Sequence, residues 1–316
     1  MADYGSGDGW ERQVLEKLAS AALVEQRRAR RWGIFFKLLG FGYLFVLLFI
    51  GLGWLGQRDV VLDGKHTAVV TLEGEISGSS AASAENVIAG LQEAFKDSNT
   101  QGVIIRINSP GGSPVQAGYI FDEIRRLRSK YPDIPVYAVV EDVCASGGYY
   151  VAAAADKIFV DKASIVGSIG VLMDGFGFTG TLEKLGIERR LMTAGRNKGF
   201  LDPFSPLPPD QKAYAETMLE EIHQQFIKVV REGRGTRLKD SPEIFSGLIW
   251  TGARSIELGL ADDFGNVESV ARDVVKAEKT VDFTPQENLA DRIAKRLGAS
   301  FASTLATLSG RGVVLR

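Results

Sequence analysis

The stretch Glu141-Asp142-Val143-Cys144-Ala145-Ser146-Gly147-Gly148-Tyr149-Tyr150-Val151-Ala152 decides how the chain is read. Just before it, Val136-Tyr137-Ala138-Val139-Val140 is a short apolar run with β-branched residues, the composition of a buried strand. Just after it, Ala152-Ala153-Ala154-Ala155 repeats the residue with the strongest helix preference. The expected order is strand, tight turn, helix, with Ser146 in the turn. Gly147 and Gly148 follow, where backbone must pack tightly or approach a ligand closely. A hydroxyl placed there lies among free N–H groups at the positive end of a helix dipole. That setting suits a nucleophile whose product is an oxyanion. It equally suits a serine that only caps the helix.

Working outward, residues 67–72 read as a strand ending at Glu73-Gly74. Residues 79–97 read as a helix with Val87, Ile88, Leu91 and Phe95 on one face. Gly102 opens a second strand, 103–107, which Asn108-Ser109-Pro110-Gly111-Gly112-Ser113-Pro114 breaks. A helix over 115–129 then sets Ile120, Ile124 and Leu127 to one side. Downstream, 157–160 is a short strand, 164–173 a glycine-punctuated strand or tight loop, and 181–185 a brief helix stopped by Gly186. Residues 188–193 read as a strand, 194–204 as a loop, and 208–231 as a long helix with Met218, Ile222, Phe226, Val229 and Val230 on its apolar face. Segments 254–258 and 267–279 finish the domain. Strands that alternate with helices and are apolar throughout predict an α/β fold on a parallel sheet covered on both faces.

The chain has 316 residues, room for one large domain or two ordinary ones, and a net charge of −2. So balanced a charge implies no polyanion-binding surface, and nucleic acid is not an expected partner. A single cysteine, Cys144, excludes an intrachain disulfide and a cysteine-based zinc site. The two histidines, His66 in an apparent linker and His223 in a polar helical stretch, have no motif around them and read as solvated or structural. A Ser-His-Asp triad would have to recruit one of them.

Residues 38–56 carry no charge over nineteen positions. At about 1.5 Å per residue they span roughly 28 Å, enough to cross a bilayer core. Trp32 and Trp54 sit near the ends like interfacial anchors. Arg27, Arg28, Arg30, Arg31 and Lys37 precede the run, against Arg58 beside Asp59 behind it, which places the N-terminus in the cytoplasm. A cleaved signal peptide fits less well, because the region before the run is long and no Ala-x-Ala site follows. The expected organisation is a tail (1–37), a transmembrane helix (38–56), a linker (57–66), the α/β domain (67–280) and an amphipathic C-terminal tail (281–316). In the last, Leu289, Ile293, Leu297, Phe301 and Leu305 recur every four residues.

A hydrolase built on Ser146 needs a base, an oxyanion hole and a groove. The N–H groups of Gly147, next after the serine, and of Gly112, at the end of the preceding strand, open at the same sheet edge, where ligands bind in parallel sheets. Ser-Pro-Gly-Gly would equally serve an ordinary strand-to-helix turn. The α/β-hydrolase pattern G-x-S-x-G is absent, since Cys144 stands at its first glycine. A lysine whose pKa is brought well below its reference of about 10.4 can act as base. Lys198, between Asn197 and Gly199 in a Gly- and Pro-rich loop, is the best candidate, although composition alone does not single it out; Lys157, Lys162 and Lys184 fall at surface positions.

With these motifs in order (108–113, 145–150, Gly167-Ser168-Ile169-Gly170, and Gly195-Arg196-Asn197-Lys198 followed by Pro203-Phe204), residues 67–280 resemble the signal peptide peptidase A family of membrane-bound serine peptidases, in its short, undoubled form. The resemblance implies a Ser/Lys dyad, Ser146 as nucleophile and Lys198 as general base. It further implies Ser168 hydrogen-bonded to the lysine amine, and Gly112 and Gly147 as oxyanion hole. The family often has Lys-Asp where this chain reads Lys198-Gly199. The implied fold is the Clp protease/crotonase-like spiral of βαβ units. The implied assembly is a homo-oligomeric ring in which neighbouring subunits supply the Ser and Lys of one site. The implied substrates are apolar peptides such as cleaved signal peptides, with no metal or nucleotide cofactor. The implied location is the bacterial inner membrane, single-pass, with the catalytic domain outside. The competing expectations are a non-peptidase acyl-binding or scaffold protein of the same fold, and a cysteine hydrolase using Cys144.

Overall fold

The computed structural model describes residues 8–51 and 64–285. Trp54, most of the expected linker and nearly all of the C-terminal tail lie outside the described residues. The chain divides into two units, which are taken separately.

The first unit holds α1, Asp8–Gly51, one uninterrupted helix of 44 residues. At about 1.5 Å per residue it is roughly 66 Å long. The expected tail from residue 8 onward and the apolar run from residue 38 are therefore parts of one element. Leucine, alanine and long charged side chains favour helix throughout the first half. Residues Gln13–Leu48 are long and apolar enough, by length and composition, to cross a membrane. Trp32, Phe35 and Phe36 cluster with centroids 5.7–5.8 Å apart, Trp32 stacked on Phe36 and Phe35 edge-on to both.

The second unit is built on an eight-stranded sheet. Its strands are β1 (His66–Glu73), β2 (Thr100–Ser109), β3 (Val136–Ala145), β4 (Lys157–Val160), β5 (Ile165–Gly167), β6 (Ile249–Thr251), β7 (Asp263–Phe264) and β8 (Thr280–Asp282). The spatial order is β6-β5-β3-β2-β1-β8, with β4 and β7 branching from β3. Every pairing is parallel, as expected, except the short antiparallel closure of β5 on β6. The helices are α2 (Ala84–Lys96), α3 (Pro114–Lys130), α4 (Gly147–Ala152), α5 (Thr179–Lys184), α6 (Pro209–Arg234) and α7 (Gly252–Glu257).

Side-chain alternation divides the core. Val70, Leu72, Val103, Ile105, Ile107, Ala138, Val140, Ile158 and Val160 point toward α2, α3, α4 and α6, whose Leu91, Ile120, Ile124, Val151, Phe226 and Val230 complete the larger cluster. The intervening Val69, Ile104, Val139 and Phe159 point the other way, under Val270 and Ala271. Near-continuous apolar strands are what a sheet covered on both faces requires.

Strand β3 is the pivot. It continues past Val140, where the sequence reading ended it, because Glu141 and Asp142 bulge outward and remain exposed. The ladder with β2 jumps from Ile107↔Val140 to Ser109↔Cys144. Before the bulge β3 pairs with β4 at 137–139; after it, β3 pairs with β5 at 143–145. Three other boundaries differ from expectation. Helix α2 begins only at Ala84, because Ser83 caps it by accepting from the Asn86 N–H. Ala153–Ala155 form a buried turn after α4 rather than its body. Residues 188–193 are not a strand, since they join no ladder. His66 is likewise not linker but the fully buried first residue of β1, 3.7 Å from Asp97 and stacked on Phe283.

Candidate active site

Ser146 lies between β3 and α4 with φ 51° and ψ −122°. A capping serine has extended backbone and turns its oxygen onto the first helical N–H groups. Ser146 has neither property: it makes no side-chain cap bond, and its residue is half-buried. Positive φ at a non-glycine residue costs on the order of 1–3 kcal/mol and needs support from its surroundings. Here the Ser146 N–H donates to the Gly167 carbonyl at 2.9 Å, and its own carbonyl accepts from the Tyr150 N–H at 3.0 Å. Helix α4 is anchored from below, where the buried Tyr149 hydroxyl donates to the Leu260 carbonyl at 2.8 Å. Burial pushes the Tyr149 phenol well above its usual range, so it stays a donor.

Gly111 and Gly112 press against this turn. A Cβ on Gly111 would stand 2.7 Å from both the Gly147 nitrogen and Ser146 Cβ, and one on Gly112 would stand 2.2 Å from the Ile76 carbonyl oxygen. Both glycines have positive φ, 100° and 142°. The bridge to Ile76 uses the groups on either side of Gly112: the Ile76 N–H donates to the Gly111 carbonyl, and the Ser113 N–H donates to the Ile76 carbonyl, each at 2.8 Å. The Gly112 N–H is not consumed by it. Gly147, as the first residue of α4, has an N–H with no partner inside the helix. The two nitrogens lie close together beside Ser146, a Cβ on Gly147 standing 3.4 Å from the Gly112 nitrogen.

Ser168 follows Gly167 directly, at φ 52°, with its N–H donating to the Leu248 carbonyl at 2.8 Å. Among the described residues four non-glycines have positive φ: Ser146, Ser168, Leu201 and Lys276. Two of these are predicted site residues, and Leu201 lies three positions after Lys198. Strain of this kind gathers at functional sites.

Lys198 sits in the turn 195–200, its N–H bonded to the Gly195 carbonyl at 3.1 Å and its side chain exposed. Backbone contacts within a single chain set Ser146, Gly112, Gly147 and Ser168 on neighbouring turns, and Lys198 makes no hydrogen bond or ion pair with them among the described residues. The segment that carries Lys198 explains why. No side chain from 170 to 214 is buried, and Leu172, Phe176 and Met192 are 81%, 78% and 93% exposed. The segment has its own local order. Phe178 stacks on Phe204 at 5.5 Å, and Asp202 accepts from Ser205 at 2.6 Å and pairs with Arg189 at 3.4 Å. The Ser205 hydroxyl and Arg189 hold the Asp202 carboxyl below its usual range.

Cys144 is fully buried opposite Ser109, and burial drives its thiol far above the usual range, away from thiolate chemistry. Two polar contacts escaped the sequence reading. The Nε2 of His223 on α6 donates to the Ile169 carbonyl at 3.2 Å, steadying the turn after Ser168. Ser109, at the end of β2, bonds through its hydroxyl to Gly74 and Gly111. No signal in the sequence marks His223; Ser109 stands inside a quoted motif but reads there as turn chemistry. A cavity of about 700 Å³ lined by Arg106, Val139, Glu141, Lys162 and Phe264 lies on the face of the sheet away from α4 and contains none of the predicted site residues.

Residues 128–282 match the sequence profile of peptidase family S49. Over 200 residues the chain is 30% identical to an Enterococcus faecium protein named as a signal peptide peptidase, covering 63% of this chain and 58% of that one. Over 219 residues it is 30% identical to a chloroplastic serine protease of Arabidopsis thaliana, covering 68% and 32%. A Brucella abortus protein named as a Na(+)/H(+) antiporter is 47% identical over 182 residues, which are 58% of this chain but 25% of that protein. Three quarters of the antiporter's length lies outside the match, and its name describes the whole. The chain likewise spans less than two thirds of the Enterococcus and Arabidopsis proteins.

Proposed function

We propose that the chain is a membrane-anchored serine endopeptidase of the signal peptide peptidase A type within peptidase family S49, working through Ser146 and Lys198. The observation that carries this reading is the backbone of Ser146, held at φ 51° between a strand and a helix, with the N–H groups of Gly112 and Gly147 beside it. Neutral Lys198 takes the hydroxyl proton of Ser146, and the alkoxide attacks a peptide carbonyl. The N–H groups of Gly112 and Gly147 receive the oxyanion. Lys198 then protonates the leaving amine, and water hydrolyses the acyl-enzyme. Ser168 holds the lysine amine toward Ser146.

The base reaches this site from a neighbouring subunit. The apolar, unburied segment 170–214 supports that arrangement: it carries Lys198, and it needs a partner surface to cover Leu172, Phe176 and Met192. A homo-oligomeric ring supplies that surface once per subunit, because a head-to-tail contact closes into a ring. Helix α1 anchors the protein in the bacterial inner membrane, with the arginine-rich end cytoplasmic and the catalytic domain outside. The substrates are apolar peptides such as signal-peptide remnants. A fluorophosphonate probe on the assembled protein tests the chemistry. Mass spectrometry is expected to find the adduct on Ser146, and none in an assembled Lys198→Ala variant. An assembled wild-type protein that takes no label would overturn the reading and favour a binding protein of the same fold.

A further inference from the structure

Within the Asn108–Ser113 turn, the orientation of one peptide plane matters most. In a trans peptide the C=O of one residue and the N–H of the next point in opposite directions. The Gly111 carbonyl is bound to the Ile76 N–H, so the Gly112 N–H faces away from Ile76. The plane before it is held by a side chain. The Gly111 N–H donates to Ser109 Oγ at 3.1 Å, and that hydroxyl in turn donates to the Gly74 carbonyl at 2.6 Å. Ser109 is fully buried, lies opposite Cys144 in the β2–β3 ladder, and packs its carbonyl under Gly148, where an added Cβ would come within 3.1 Å. One residue therefore joins the turn after β1 and the glycine pair through its hydroxyl, and the base of the nucleophile helix through its carbonyl.

We propose that Ser109 is a positioning residue that aims the Gly112 N–H at the developing oxyanion. It touches neither substrate nor the reacting atoms. It acts by satisfying the Gly111 N–H, which otherwise has to turn toward another acceptor and rotate the donor beside it. This inference rests on the reading of Gly112 and Gly147 as the oxyanion hole, and it adds the residue that sets the geometry of that hole.

The test uses full-length protein in detergent, with sites counted by fluorophosphonate labelling. In Ser109→Ala, kcat per labelled site is expected to fall about a hundredfold with KM within about twofold, the size of effect seen when an oxyanion donor is lost. Affinity for a peptide boronate, whose tetrahedral adduct occupies the hole, is expected to fall in parallel, while affinity for the product peptide and the pH midpoint of kcat stay unchanged. Ser109→Cys, close in size with a weak donor and acceptor, is expected to lie between the two. It also supplies the comparison if the alanine variant does not assemble. A kcat per site within threefold of wild type in both variants overturns the proposal. So does an equal loss of boronate and product-peptide affinity, or a displaced pH midpoint. A wild-type protein that neither labels nor turns over brings down the peptidase reading, and this inference with it. Active wild type with unaffected variants brings down this inference alone.

Discussion

Ser146 and Ser168 both have positive φ, 51° and 52°, and are joined through a single hydrogen bond from the Ser146 N–H to the carbonyl of Gly167, the residue before Ser168. Neither side chain requires that conformation. Each is held in it by the ladder of β3 with β5 and by the Leu248 carbonyl behind Ser168. The fold thus places two strained serines on adjacent turns.

Relieving that strain separates stability from activity. Ser168→Gly adopts positive φ freely, so we expect it to raise unfolding stability by about 1 kcal/mol in thermal or urea denaturation. Turnover is expected to fall, because the proposed mechanism uses the Ser168 hydroxyl to hold Lys198. A variant that is both more stable and fully active would remove Ser168 from the mechanism.

Ser146→Ala and Lys198→Ala are each expected to lower kcat by at least about a thousandfold, while Cys144→Ala retains turnover, as its buried thiol predicts. Mixing the two inactive variants before assembly is expected to restore about a quarter of the wild-type rate, because in a closed ring a random half of the subunits supplies each group. Zero recovery in verified mixed oligomers would place both groups of a site on one chain.

Gly112→Ala puts a methyl 2.2 Å from the Ile76 carbonyl oxygen, whereas Gly118, on the open side of α3, has nothing within 4 Å of its Cβ position. The first substitution is expected to reduce kcat by about a hundredfold or more through displacement of the donor. Gly118→Ala is expected to leave activity intact and to stabilise its helix by about 0.8 kcal/mol. Equal effects on kcat from the two would show that the glycine turn has no special role.

Asp262 accepts from the buried Arg234 at 2.8 Å, from Arg237 at 3.1 Å and from the Ile158 N–H at 2.7 Å. Burial alone would raise its carboxyl, but Arg234, the Ile158 N–H and Arg237 outweigh it and hold the group below its ordinary 3.8. A depressed folded-state pKa adds stability that is complete above the ordinary value and is lost as pH falls through the folded one. Asp262→Asn leaves Arg234 buried without its counter-charge and is expected to cost about 3 kcal/mol at pH 7. Urea titrations are expected to show the gap between wild type and variant narrowing below about pH 4. A gap independent of pH would mean that the pair contributes through packing alone.

The strand-turn-helix at Ser146 was legible because its three parts differ sharply in composition: apolar β-branched, glycine pair, alanine-rich. The glycine motif at 108–113 was legible for the same reason. What escaped was decided by neighbours far along the chain. The charges of Glu141 and Asp142 read in the sequence as the end of β3, yet they bulge into solvent while the strand resumes at Val143 and changes partner. His66 has no motif, yet it is buried because β1 pairs beside Asp97 and Phe283. Residues 188–193 have strand-like composition but join no ladder, and local pattern cannot reveal a missing partner. Ser109 and His223 act through single hydrogen bonds to backbone, which leave no periodic trace.

The fork in β3 also sets an order of failure. The branch formed by β5 and β6 holds Gly167 with three-residue strands, while β1, β2 and the first half of β3 are joined by long ladders through the core. Amide hydrogens on the short branch should exchange with solvent at lower cost than those of the central ladders. On warming, the partner of the Ser146 N–H is expected to loosen first, so that the proposed activity is lost while most of the sheet is still closed.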